Sequence, residues 1–177
     1  MKIGLIDVDS HNFPNLALMK VSGWFKNHGA TVEWCNRMEH YDVVFMSKVF
    51  DETYTPDIEW EPNADIIVKG GTGYIRGDEV YKNGTWVKRH DIQVGKELYQ
   101  DVLPTHVEHE YPDYSLYPEL TKDTAYGYLT RGCPRACEFC LVAEKEGKAS
   151  RKVAELSEFW RGAEENKTHG SQYTGVP

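Results

Sequence analysis

The chain has 177 residues and a formal net charge of -8, and 40% of its residues are hydrophobic. That size allows one complete domain, or one domain and part of a second, and five Trp with eleven Tyr exclude a wholly disordered chain. No apolar run approaches the ~20 residues of a membrane span and no basic stripe suits a phosphate backbone, so a cytoplasmic chain without membrane or nucleic-acid partners is expected.

Lys2–Val8 is a short β-rich run that ends in polar residues, and Asp7 and Asp9 make it a buried first strand rather than a leader. Pro14 marks a helix start; Leu16, Met19, Trp24 and Phe25 follow, and Gly29 stops the helix. Thr31–Trp34, Tyr41–Ser47 and Ala64–Gly71 are predicted as the second, third and fourth strands. Short β-rich runs joined by a helix-length segment predict a parallel sheet with crossovers, a Rossmann-like α/β domain over residues 1–76.

Asn83-Gly84 lies between two β-rich stretches and predicts a hairpin. The proline-bearing segment DVLPTHVEHEYPDYSLYPELTKD predicts an interdomain linker, so residues 77–124 form a hairpin and linker region. A second unit over residues 125–162 opens with a strand at Ala125–Thr130 and runs through a cysteine-bearing loop into SRKVAELSEFWRG. There Val153, Leu156, Phe159 and Trp160 share one face at helical spacing and predict an amphipathic helix. The apolar periodicity then ends, and residues 163–177 are expected to be a disordered or aberrant tail.

Three of the four cysteines lie in RGCPRACEFC, spaced Cys-x3-Cys-x2-Cys: Cys133, Cys137 and Cys140. Such clustering in a cytoplasmic chain points to metal rather than to a disulfide framework. Three thiolates on one loop can each bind a different iron of a cubane. The fourth iron then stays open to a small molecule, whereas a cluster closed by four cysteines suits plain electron transfer. Gly132 and Pro134 shape the turn, and Arg135 adds positive charge that favours thiolates. A zinc site completed by His106 or His109 is also compatible with this spacing.

The stretch Thr130–Cys140 resembles the cluster-binding motif of the radical S-adenosylmethionine (SAM) superfamily, in which an aromatic residue, here Phe139, precedes the third cysteine. The resemblance implies that Cys133, Cys137 and Cys140 ligate a [4Fe-4S] cluster. SAM would chelate the open iron through its amino and carboxylate groups, with the region of Phe139 along its adenine. It further implies reductive cleavage of SAM to methionine and a 5'-deoxyadenosyl radical, fed by a reducing electron-transfer protein.

Residues 1–76 resemble the cobalamin-binding-like domain that precedes the barrel in many members, through the strand pattern, the KGGTGY turn and the YPDYSLYP linker. Asp9 and His11 fit the start of an Asp-x-His-x-x-Gly cobalamin motif, but Pro14 stands where the glycine belongs, so cobalamin is not expected. Gly70, Gly71 and Gly73 are read as a tight turn, Cys35 as a small buried hydrophobe, and His106 and His109 as part of a solvated strip.

Only the first βα unit of a radical SAM barrel is legible. The expectation is therefore a partial or inactive member: either a second chain supplies the remainder, or the chain is truncated early in the barrel. The alternative is a non-catalytic iron–sulfur or metal-binding module acting with a partner chain. An RNA methylthiotransferase is disfavoured, because only Cys35 is available for the second cysteine trio such enzymes carry.

Overall fold

The computed structural model describes residues 1–88, 95–135 and 137–162. The expectations for residues 163–177 lie outside the described residues. The chain divides into two compact units, Met1–Asp113 and Tyr114–Pro177.

The first unit is built on five parallel strands: β1 (Lys2–Asp7), β2 (Thr31–Trp34), β3 (Tyr41–Ser47), β4 (Ala64–Gly70) and a later strand at Glu97–Gln100. Their spatial order is β2, β1, β3, β4 and then the later strand. Apolar side chains on both faces of β1 bury Ile3, Leu5 and Ile6, the pattern of an interior parallel strand. Register places Leu5 opposite both Trp34 and Phe45, and Val44 opposite Ile67. Helix α1 (Leu16–Asn27) makes the crossover from β1 to β2. Asn15 caps it by accepting the Leu18 N–H at 3.2 Å, and the chain turns out of it at Gly29, φ +78°. The α/β unit with a parallel sheet is thus present, Rossmann-like in character.

A three-stranded antiparallel sheet follows β4: β5 (Ile75–Arg76), β6 (Glu79–Lys82) and β7 (Thr85–Lys88). Asn83 (φ 49°) and Gly84 (φ 83°) join Lys82 to Thr85 with the two positive φ values of a type I′ turn, as the Asn-Gly pair predicts. Tyr74, Ile75 and Val80 pack into one core with Ile6, Tyr41, Val44, Met46 and Ile67. The fifth parallel strand, β8 (Glu97–Gln100), pairs with β4 and, among the described residues, closes one edge of the main sheet. A one-turn helix, α2 (Thr105–Glu108), buries Val107.

In the described part of the second unit, β9 (Thr130–Arg131) pairs antiparallel with β10 (Arg151–Lys152), and α3 (Val142–Glu146) lies between them. The strand expected over Ala125–Thr130 is thus reduced to its last residue and the one after it. Its Gly127 instead lies against Phe159, whose ring a Cβ there would approach to 2.2 Å. The amphipathic helix expected from Ser150 onward is absent. Its first residues form β10, and the rest makes one 3-10 turn over Leu156–Glu158, closed by reciprocal capping between Glu155 and Glu158. Phe159 is buried by insertion rather than by a helical stripe, and its carbonyl accepts the Tyr114 hydroxyl at 2.6 Å.

Candidate functional site

The cysteine loop leaves β9 and returns to β10. Gly132 sits at its entrance with φ +87°, where a Cβ would come within 2.3 Å of the Ala149 carbonyl oxygen, so both the backbone conformation and the space require glycine. The Cys133 N–H donates to the Gly147 carbonyl at 3.1 Å, and the Cys140 N–H donates to the Cys137 carbonyl at 3.0 Å. Glu146, at the end of α3, accepts from Arg131 Nη1 at 2.7 Å and from the Gly132 N–H at 3.1 Å. The role of Gly132 in this turn is legible from its place before Cys133; that of Glu146 is not, its one signal being an acidic residue at the end of a helix.

All four cysteines are free thiols. Cys133 and Cys140 are half-buried, Cys137 and Arg135 are exposed, and Phe139 is 92% exposed. Among the described residues no three His, Cys, Asp or Glu side chains are gathered as a metal-holding group. The loop therefore places the three predicted ligands on one short segment without drawing their sulfurs together. In kind the donor set fits a thiolate-bound cluster: three thiols, none in a disulfide and none committed to the apolar core. Loading would require the loop to gather them. His106, in the first unit, is exposed, its ring tilted against Trp24 at 5.1 Å.

The carboxyl ends of β1, β3 and β4 form the edge at which open α/β sheets receive ligands. Here the edge is filled by its own loops. Asp9, 4% exposed, accepts the Val49 N–H at 2.8 Å and the Phe50 N–H at 2.7 Å. Lys48 is wholly buried and pairs with Glu52 at 2.5 Å, with its ammonium 5.7 Å from the Tyr74 ring centre and 5.6 Å from that of Tyr81. The Tyr74 hydroxyl donates to Asp57 at 2.6 Å; burial first, and then the Asp57 carboxylate, push its pKa far above the usual tyrosine value. A Cβ on Gly71 would lie 2.2 Å from the Lys48 carbonyl oxygen and one on Gly73 2.4 Å from that of Phe50, so these glycines serve the tight turn. No buried side-chain nitrogen or oxygen among the described residues lacks a hydrogen-bond partner.

His11 is exposed beside this edge. Cys35 is half-buried at the margin of the core, and burial pushes its thiol up to about 11, which leaves it inert at neutral pH. Lys48 was not legible as a buried residue, because a lysine just past a strand reads as solvated; Glu52 one helical turn later was the only hint. Among the described residues no helix is long and apolar enough to cross a membrane. No protein-family model, curated protein or solved structure matches the chain.

Proposed function

We propose that the chain is a radical SAM family iron–sulfur protein in which Cys133, Cys137 and Cys140 hold a [4Fe-4S] cluster and Phe139 lies along the bound SAM. The observation that carries this reading is the set of three free thiols spaced Cys-x3-Cys-x2-Cys on a single loop closed by β9 and β10. When bound, the cluster would supply the one-electron reduction of SAM. The chain's own part is to hold the thiols on one loop, to leave one iron without a protein ligand and to offer the exposed Phe139 ring to the nucleoside. A reducing electron-transfer protein, a cytoplasmic setting, and a second chain that supplies further barrel strands belong to the same reading. Cobalamin does not, with Pro14 in the glycine position and Asp9 engaged by backbone N–H groups.

A second reading, a non-catalytic metal-binding module acting with a partner chain, is favoured by one observation. The described strands of the second unit are a two-residue antiparallel pair, which encloses no substrate. Anaerobic reconstitution with iron and sulfide separates the readings. The first expects equal iron and sulfide, loss of both in Cys133→Ser, Cys137→Ser and Cys140→Ser, retention in Cys35→Ser, and a SAM-dependent change in the electron paramagnetic resonance of the reduced cluster. Cluster without any SAM response supports the second reading. Stoichiometric zinc with neither iron nor sulfide sinks the first.

A further inference from the structure

The base of the cysteine loop is tied by one side chain. One oxygen of the Glu146 carboxylate takes Arg131 Nη1 at 2.7 Å, and the other takes the Gly132 N–H at 3.1 Å. The backbone carbonyl of the same residue accepts from Arg151 Nη1. The next carbonyl, that of Gly147, accepts the Cys133 N–H at 3.1 Å. Residues 131–133 at the loop's entrance are thus joined to residues 146 and 147 near its exit, and Arg151 on the returning strand joins the same point. A carboxylate at a helix C-terminus has the wrong sign for the peptide dipoles there, so α3 itself gives no reason for Glu146. The guanidinium and the amide across the loop do, and bonds to a charged acceptor are the strong kind.

We propose that Glu146 is a positioning residue that latches the entrance of the cysteine loop to its exit and so limits the movement by which the loop must bring Cys133 to Cys137 and Cys140. The latch itself is a property of the protein without cluster; its effect on cluster retention rests on the function proposed above.

The full-length chain, purified anaerobically with its thiols reduced, offers a direct reporter. The Cys133 amide donates to the Gly147 carbonyl, an acceptor that substitution at position 146 leaves in place. Glu146→Ala is expected to speed hydrogen exchange at the Cys133 amide roughly tenfold, the loss of one charge-assisted bond. Glu146→Gln retains an acceptor oxygen for Gly132 and is expected to restore most of the protection. The Thr121 amide, bonded to the Tyr117 carbonyl in the same unit at 3.0 Å, is expected to stay unchanged and controls for general unfolding. In protein loaded with iron and sulfide, Glu146→Ala is expected to surrender iron to a chelator several-fold faster than the parent chain, with Glu146→Gln between them. Unchanged exchange at Cys133 overturns the proposal, and so does faster exchange with unaltered iron loss from loaded protein. Should the parent chain take up no iron and sulfide while the Cys133 amide still responds to Glu146→Ala, the latch stands and the cluster reading falls.

Discussion

Lys48 leaves β3 with no exposed side-chain surface, whereas its ion-pair partner Glu52 is 37% exposed. The two halves of this pair are therefore not equivalent. Removing Lys48 leaves a carboxylate that water can reach, but removing Glu52 leaves a buried ammonium among Tyr74, Tyr81 and backbone without the carboxylate it is paired with. Glu52→Ala is expected to cost on the order of 2 kcal/mol, a buried-pair value reduced for the exposure of the glutamate. Lys48→Met, which keeps the length of the stem, is expected to cost about 1 kcal/mol or less. Urea midpoints of the two variants check the order, and equal losses would show that Lys48 reaches water. Cys35 behaves differently from the loop cysteines because it sits against the core, where burial disfavours its thiolate. A thiol-alkylating reagent at neutral pH is expected to modify Cys137 before Cys35, as mass spectrometry of the partly labelled chain would read out.

The turns separate conformational strain from steric clash. Gly84 and Gly71 both have positive φ, +83° and +96°, but a Cβ on Gly84 meets nothing within 4 Å whereas one on Gly71 meets the Lys48 carbonyl oxygen at 2.2 Å. Gly84→Ala is expected to cost about 1 kcal/mol, the left-handed backbone penalty alone. Gly71→Ala adds displacement of the chain leaving β3 and is expected to exceed that by on the order of 2 kcal/mol, which denaturant unfolding of the two variants measures. These elements also show what could be read in advance. β1 to β4, α1 and the Asn83-Gly84 hairpin announce themselves through unbroken β-rich runs, a proline at the helix start with a glycine stop, and turn chemistry that few other residues satisfy. β8 does not, because the short sequence Glu-Leu-Tyr-Gln, paired with β4, carries polar residues at both ends. Helical spacing of Val153, Leu156, Phe159 and Trp160 suggested a stripe, yet pairing of Arg151 and Lys152 with β9 and the slot above Gly127 take those residues instead. The cysteine spacing was plain. The Glu146 tie was not, because it depends on where α3 ends relative to Arg131, which no local pattern encodes.

A net charge of -8 makes the acid response of the whole chain a contest between two effects. Protonating surface carboxylates relieves self-repulsion, while protonating paired ones removes attraction. Glu97 belongs to the second class: it sits on β8 with Lys69 of β4 at 2.8 Å and Lys82 of β6 at 3.4 Å, so one carboxylate links the parallel sheet to the hairpin within the first unit. Burial raises its pKa, but the two ammonium groups outweigh burial and hold it below the ordinary value of 4.5. A carboxyl whose folded pKa is depressed contributes stability that is complete above its unfolded pKa and is lost as the pH falls through its folded one. Glu97→Gln is therefore expected to be less stable than the parent chain by about 1 kcal/mol at neutral pH. The gap should close as the pH drops below about 4, because both chains then carry a neutral group at this position. Because the rest of the surface titrates alike in both proteins, the difference in their urea midpoints against pH isolates this one carboxylate. A gap that stays constant from neutral pH to about pH 3 would mean that the two lysines do not hold Glu97 ionised in the folded chain.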